Sequence, residues 1–319
     1  MSEPAPLLEL NLTLPGCPGG QRLDQALARA LPQYSRSRLA AWIRDGSVVL
    51  DGHPARPRDS VFGGEQVAVR ARAPVDERVA AERMPLTVRH RDPHIFVMDK
   101  PAGLVVHPGA GNRAHTLQNG LLALDPQLAA VPRAGIVHRI DKDTSGLLVI
   151  ARTLQAHTAL VAALRGHEIR REYLALCVGT LTGGGTVDRP IGRHRTDRLR
   201  MAVRADGREA ITHYRIEQRL PRHTLLRVVL ETGRTHQIRV HLAHIGHPLV
   251  GDPLYGGRRQ LVAGLGAAER AALADFSRQA LHAARLEFAH PVSGKPISVE
   301  SPLPEDFSAL LATLGAGER

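Results

Sequence analysis

Apolar positions recur along this chain with two different periods. Leu23, Ala26, Leu27 and Ala30 are spaced for one face of a helix, and Pro32 is its expected stop. Ser35 then reads as the cap of a second helix that turns Leu39, Trp42 and Ile43 inward and leaves Arg36, Arg38 and Arg44 for solvent. Gly46 closes that helix. Val48-Val49-Leu50, the Asp51-Gly52 turn and a strand around 66–69 complete a small αα-then-β module over residues 20–70. Residues 1–19 precede it as an N-terminal segment. Residues 71–85 carry charge, alanine and two prolines with no long apolar period, and read as a linker.

Beyond the linker, strand-like and helix-like patterns mix. Strands are expected at 86–90, 95–99, 146–152, 169–178, 212–219 and 224–231. A helix capped by Thr153 runs to about Gly166 with Leu160, Val161 and Leu164 inward. With no regular βαβ alternation, the class is α+β on a mixed, largely antiparallel sheet spanning 86–310, followed by a tail at 311–319. The run Leu147–Ala151 is apolar throughout, and the polar loop before it stands on that rigid floor.

Composition narrows the partner. The apolar fraction of 43% supports a sizeable core, while the net charge of +11 is unusual. Lys100, Lys142 and Lys295 are the only lysines, the other basic residues being arginine, whose planar fork suits phosphate oxygens and stacks on bases. A GC-rich coding bias explains the choice of arginine equally well, but not the excess of cations over acids. Cys17 and Cys177 are too few for a disulfide framework or a zinc site and read as reduced thiols. No stretch reaches membrane-spanning length and the N-terminus lacks a signal-peptide layout, so a soluble cytoplasmic protein is expected.

Four clusters carry candidate chemistry: Lys100-Pro101-Ala102-Gly103-Leu104-Val105-Val106-His107-Pro108-Gly109; His138-Arg139-Ile140-Asp141-Lys142-Asp143-Thr144-Ser145-Gly146; Arg170-Arg171-Glu172-Tyr173; and Gly233-Arg234-Thr235-His236-Gln237-Ile238-Arg239-Val240-His241. In this order and spacing they resemble the RluA-type pseudouridine synthases, most closely the RluD-like branch. The resemblance extends to Gln279-Ala280-Leu281-His282-Ala283 and the 302–307 tail. The first module resembles the S4 RNA-binding domain, through Arg22-Leu23-Asp24, Ser35-Arg36-Ser37 and Gly46-Ser47-Val48, which implies that Arg36, Arg38 and Arg44 bind RNA phosphates.

That resemblance implies isomerisation of uridine to pseudouridine: the bond from ribose C1′ to N1 breaks, the uracil turns, and it rejoins through C5. No redox change occurs and no group is lost, so no cofactor and no metal are expected. The reaction asks for a carboxylate beside the ribose, either as nucleophile at C1′ or as base at C2′, with a fixed cation to keep it charged. It also asks for a flat surface against the base and a means of extracting the nucleotide from its stack. The match implies Asp141 as that carboxylate, Tyr173 as the ring against the uracil and Arg239 as the cation. Arg139 is expected to fill the gap left by the flipped nucleotide or to bind phosphate. Arg234, His236 and Gln237 contact RNA or frame the pocket, and Lys100 and His107 are similar candidates.

Other readings of the same residues stand beside this one. Asp143 lies two positions from Asp141 and invites a paired-carboxylate or metal site, but Lys142 between them argues against a carboxyl with a raised pKa, and Asp143 more plainly shapes the turn with Thr144 and Ser145. The histidines at 236, 241, 244 and 247 do not repeat a ligand spacing. Asp99 stands where many relatives have Asn, which puts its loop in question. The implied partner is large-subunit ribosomal RNA, at a hairpin loop, either naked or within pre-ribosomal particles, and the protein is expected as a monomer. The alternatives are a non-catalytic S4-domain ribosome-assembly protein, a synthase acting on tRNA, and an RNA N-glycosidase that releases the base.

Overall fold

Leu8, Leu10 and Leu12 alternate with polar residues and build a strand that the reading above leaves inside the N-terminal segment. The structure, a computed structural model, describes residues 7–17, 19–31, 34, 36–72, 79–109, 111–256 and 263–316. The chain divides at 78/79 into two units.

The first unit runs β1 (Leu7–Thr13), β2 (Gln21–Arg22), α1 (Leu23–Ala30), α2 (Arg36–Arg44), β3 (Val48–Leu50), β4 (His53–Pro54), β5 (Ser60–Val61) and β6 (Gln66–Arg72). Its sheet has the order β1-β6-β3-β4, and β2 pairs with β5. The helical spacing delivers what it promised: Leu23, Ala26, Leu27, Leu39, Trp42 and Ile43 are all buried against Val48, Val67 and Val69. Asp51 and Gly52 both have positive φ, 47° and 83°, as a tight hairpin turn requires. Because β1 pairs along the whole of β6, the module begins before residue 20 and its last strand runs past residue 70. The stop at Pro32 and the cap at Ser35 lie outside the described residues.

The second unit opens with β7 (Thr87–Arg91), β8 (Ile95–Lys100), α3 (Leu117–Leu124), β9 (Ser145–Ala151), α4 (Leu154–Arg165) and β10 (Arg170–Val178). It continues with β11 (Gly185–Asp188), β12 (Ile191–Arg193), β13 (Met201–Val203), β14 (Ile211–Arg219), β15 (His223–Leu230) and α5 (Gln237–His244). It ends with α6 (Ala267–Asp275), β16 (Leu281–Ala289), β17 (Pro296–Glu300) and α7 (Glu305–Gly315). The main sheet has the order β11-β14-β15-β10-β16-β9-β8-β7, with β17 also on β16. Its strands pair antiparallel except for β9 and β16, which meet in parallel only at Ser145–His282 and Gly146–Ala283.

Period-two alternation in β8 and β9 divides their side chains between two cores. Phe96, Met98, Leu148 and Ile150 pack with Leu117 and Leu121 of α3 and Ile238 and Leu242 of α5. Ile95, Val97, Leu147 and Val149 pack with Ala156 and Leu160 of α4. A helix-sheet-helix sandwich results, and it explains why β9 is buried on both faces. Thr153 accepts a hydrogen bond from the Ala156 amide and caps α4, a contact worth about 1 kcal/mol.

Two boundaries need correction. Residues 79–85 are fixed to the second unit: the Glu82 amide donates to the Asn119 carbonyl at 3.0 Å, and Asn119 Nδ2 donates to the Ala80 carbonyl at 2.8 Å. The tail starting at 311 cuts α7, whose Phe307, Leu310 and Leu314 are buried at helical spacing.

Candidate active site

The loop carrying Asp141 is held by residues from two distant parts of the chain. Lys100 Nζ donates to the Pro101 carbonyl at 2.7 Å and to the Lys142 carbonyl at 2.8 Å. Gly103 N also donates to Lys142, at 3.0 Å. Gln279 Nε2 donates to Thr144 Oγ1 at 3.1 Å, Arg278 Nη1 to the Asp143 carbonyl at 3.3 Å, and Ser145 Oγ pairs with His282 Nδ1 at 2.9 Å. The Thr144 amide returns to the Asp141 carbonyl at 3.1 Å, closing the turn on Asp143. Gly146 takes φ 108° where β9 crosses β16, and a Cβ there would stand 2.2 Å from the Ala283 carbonyl oxygen. The peripheral sequence clusters therefore act by rigidifying this loop.

Lys100 does not face RNA. It is 1% exposed, and burial pushes its ammonium down to about 7 against the pull of Asp143 and Asp141. A residue whose nitrogen ties two carbonyls beneath a loop has no surface for phosphate, which corrects the expectation above. Asp99 is anchored as well, accepting from Arg89 Nε and Nη2 at 2.9 and 2.7 Å and from Ser301 Oγ at 2.7 Å. Arg89 supplies the donors that a carboxylate at this position needs.

Asp141 opens onto a cavity of about 600 Å³ whose lining includes Tyr173, Arg239 and His236. Arg239 Nη1 donates to Asp141 Oδ2 at 3.0 Å, while its Nε and Nη2 fork onto Asp252 at 2.7 and 2.9 Å. Burial works against the charge of Arg239, but hydrogen bonds and attraction from Asp252 and Asp141 outweigh it and hold its proton tighter than usual. Asp252 in turn accepts from the amides of Leu254 and Tyr255.

A second arm approaches Asp141 through His236, which begins α5 in the left-handed region at φ 56°, a conformation associated with functional strain. Tyr255 Oη accepts from the Met201 amide at 2.9 Å and lies within hydrogen-bond distance of His236 Nδ1, at 2.8 Å. His236 Nε2 faces Asp141 Oδ1 at 3.9 Å. Burial lowers the His236 pKa against the pull of Asp141.

Tyr173 is 6% exposed on β10, beside a register shift in its pairing with β16, and burial raises its hydroxyl pKa. Arg139 is exposed at the cavity, and His107 lines it with an imidazole pushed down to about 4 by burial, Arg139 and Arg133. Arg234 is half-buried, its Nε donating to the Glu209 carbonyl at 2.8 Å. Gln237 frames the wall from within: its amide bonds the Ile211 carbonyl and Thr212, and its oxygen accepts from Thr232 and the Arg234 amide. His241 bonds Thr212 and the Arg189 carbonyl, and His247 bonds the Val178 carbonyl. In the first unit, Arg36 binds Asp24 through Nε and Nη2, Arg38 is half-buried, and Arg44 is exposed with Nε on the Ala40 carbonyl.

The sequence reading missed Asp252 and Tyr255. Their signal was Gly251-Asp252-Pro253-Leu254-Tyr255-Gly256, a glycine-bounded Asp-Pro turn bearing one of only four tyrosines. What this arrangement can do is hold one carboxylate, fixed by a guanidinium and faced by an imidazole, beside an aromatic ring in a cavity of nucleoside size with a cationic rim.

Residues 94–244 match the family described as RNA pseudouridylate synthase, and residues 21–67 match the S4 domain. The ribosomal large subunit pseudouridine synthase D of Xanthomonas campestris pv. campestris is 55% identical, with 98% of this chain and 95% of that protein covered. The protein of the same name from Pseudomonas aeruginosa is 53% identical over 93% of this chain and 92% of its own length. Among solved structures, human RNA Pseudouridylate Synthase Domain Containing 1 superposes with a TM-score of 0.55 at 24% identity, covering 76% of this chain and 91% of that one. That last likeness speaks for the fold.

Proposed function

This chain belongs to the RNA pseudouridine synthase family, and from that premise we propose a division of labour at its cavity. Asp141 is the carboxylate that engages the ribose, at C1′ as nucleophile or at C2′ as base. Arg239 holds it in place, and Asp252 holds Arg239. Tyr173 packs against the uracil, and Arg139 takes the place of the everted nucleotide in the stack. The observation that carries this reading is the 3.0 Å contact of Arg239 Nη1 with Asp141 Oδ2 in the cavity that Tyr173 lines.

The RNA we propose is large-subunit ribosomal RNA at a hairpin loop, naked or in assembling particles, with the protein acting as a monomer in the cytoplasm. The names of the relatives support this target, as do the S4 domain and the net charge of +11. Among the described residues, no helix is long and apolar enough to cross a membrane.

The test is Asp141→Asn, assayed for pseudouridine on transcripts of large-subunit ribosomal RNA and of tRNA. Wild-type protein modifies the ribosomal transcript, and the variant binds it without modifying it. Unchanged pseudouridine in the variant overturns the role of Asp141, and modification of tRNA alone overturns the target. Release of free uracil in place of pseudouridine identifies a glycosidase.

A further inference from the structure

Among the described residues of the second unit, three arginines expose a tenth of their surface or less, and two of them grip a carboxylate. Arg239 forks onto Asp252, and Arg278 forks onto Asp306. Arg171 is the exception. It is 7% exposed, its Nη2 reaches the Glu231 carbonyl at 3.2 Å and the Leu230 carbonyl at 3.5 Å, and its buried Nε has no hydrogen-bond partner. Among the described residues no carboxylate pairs with it.

Its place is specific. Arg171 lies two residues before Tyr173 on β10, so both side chains leave the same face of the sheet, and both line the cavity. The chain also keeps room for it: a Cβ on Gly233 would stand 2.8 Å from Arg171 Nη1, although the backbone there is one that any residue adopts. A desolvated cation without a counter-charge is unfavourable in a resting protein, and a negative charge arriving in front of it would relieve that.

We propose that Arg171 is a catalytic residue that stabilises the negative charge on uracil while the base is detached from the ribose. This rests on the reading of the cavity given above. Rupture of the C1′–N1 bond leaves its electron pair on N1, shared by the ring with O2 and O4. C1′ bonds to an Asp141 oxygen or, in the other route, gains a double bond to C2′ as the C2′ proton passes to Asp141. C5 then bonds to C1′ as the link to Asp141 breaks or the C2′ proton returns, after which the C5 proton leaves and N1 takes one up.

The base is neutral in bound RNA and anionic only between the two bond changes. A cation that meets it there favours the intermediate and its flanking transition states over the ground state, and so acts on rate more than on affinity. Phosphodiester is the other anion that RNA offers. The exposed arginines at the cavity, Arg133, Arg139, Arg165 and Arg208, suit it better than a guanidinium whose Nε reaches no solvent.

The test uses full-length Arg171→Gln and Gly233→Ala, with a large-subunit ribosomal RNA transcript carrying uridine or 5-fluorouridine at the target. The readouts are loss of the original glycosidic bond in single turnover at saturating enzyme, and RNA affinity over a salt series. Arg171→Gln lowers the rate on uridine about 10²–10³-fold, as removal of one oxyanion donor does, and leaves affinity in place. The loss is smaller on 5-fluorouridine, whose base is the more stable anion, and Gly233→Ala, which displaces the guanidinium, shares that dependence on the base.

Weaker affinity with a salt slope reduced by about 0.7 and an intact saturated rate would mark a phosphate contact and overturn the proposal. Equal losses on both bases, accompanied by lower thermal stability, would mark a structural residue and overturn it too. If wild-type protein makes no pseudouridine, the reading of the cavity falls and takes this role with it. If wild type makes it and Arg171→Gln keeps pace, only the role of Arg171 falls.

Discussion

Arg239 grips Asp252 with two nitrogens, at 2.7 and 2.9 Å, and gives its third to Asp141 at 3.0 Å. Asp252 has none of its side chain exposed, whereas Asp141 keeps 20% open to the cavity. The buried acid fixes the guanidinium so that the open acid meets it in one orientation. Asp252→Asn is therefore expected to slow turnover sharply with little change in RNA affinity. Asp252→Ala leaves the buried Arg239 with Asp141 as its one remaining carboxylate and is expected to lower the stability of the fold. Single-turnover rates and thermal unfolding check the two effects separately.

Lys100 supports the same loop from beneath. Lys100→Met removes two hydrogen bonds to the Pro101 and Lys142 carbonyls and is expected to lower the rate while RNA still binds. Its folded value of about 7 lies below the ordinary ~10.4, so deprotonation favours the folded state. Wild-type protein should gain stability relative to Lys100→Met as pH rises from about 7 towards ~10, and unfolding curves across that range test it.

His138 works in the opposite pH range. Its Nε2 accepts from the Val149 amide at 3.1 Å, and burial next to Arg171 pushes it down to about 3. The unfolded chain takes up that proton near ~6.5, so stability is full above this pH and declines towards about 3. From pH 7 to 5 wild type should lose on the order of 2 kcal/mol more than His138→Asn, read as the difference in Tm shift.

Affinity for RNA should fall steeply with salt if phosphate contacts dominate. Arg44 is exposed on α2 with Nε turned back to the Ala40 carbonyl. Arg44→Ala is expected to reduce the salt slope by about 0.7 and to leave the saturated rate unchanged. Filter binding at several salt concentrations measures it.

Strands and helices with strong periodicity were legible in the sequence because burial follows local pattern. The strand expected at 95–99 and the helix from Thr153 to Gly166 fall within a residue of β8 and α4. β1 was hidden because its partner β6 lies more than fifty positions away. Asp141, Tyr173 and Arg239 could be proposed from the clusters around them, and they line one cavity. That Asp252 pairs with Arg239 and that Lys100 lies beneath the Asp141 loop could not be read, because each depends on what the folded chain places in front of one side chain. A lysine at the end of a strand, before a loop, looks exposed until its nitrogen is found between two carbonyls.

The parallel meeting of β9 with β16 has a consequence during synthesis. Ser145 waits for His282 and Thr144 for Gln279, more than 130 residues downstream. While the ribosome is still making the chain, Asp141, Tyr173 and Arg239 are all translated before Arg278, Gln279 and His282, which supply the later half of the loop's anchors. A nascent polypeptide ending ahead of Arg278 would carry every proposed reactive group on a loop still missing the contacts of Arg278, Gln279 and His282, so its geometry is completed only when that later segment docks.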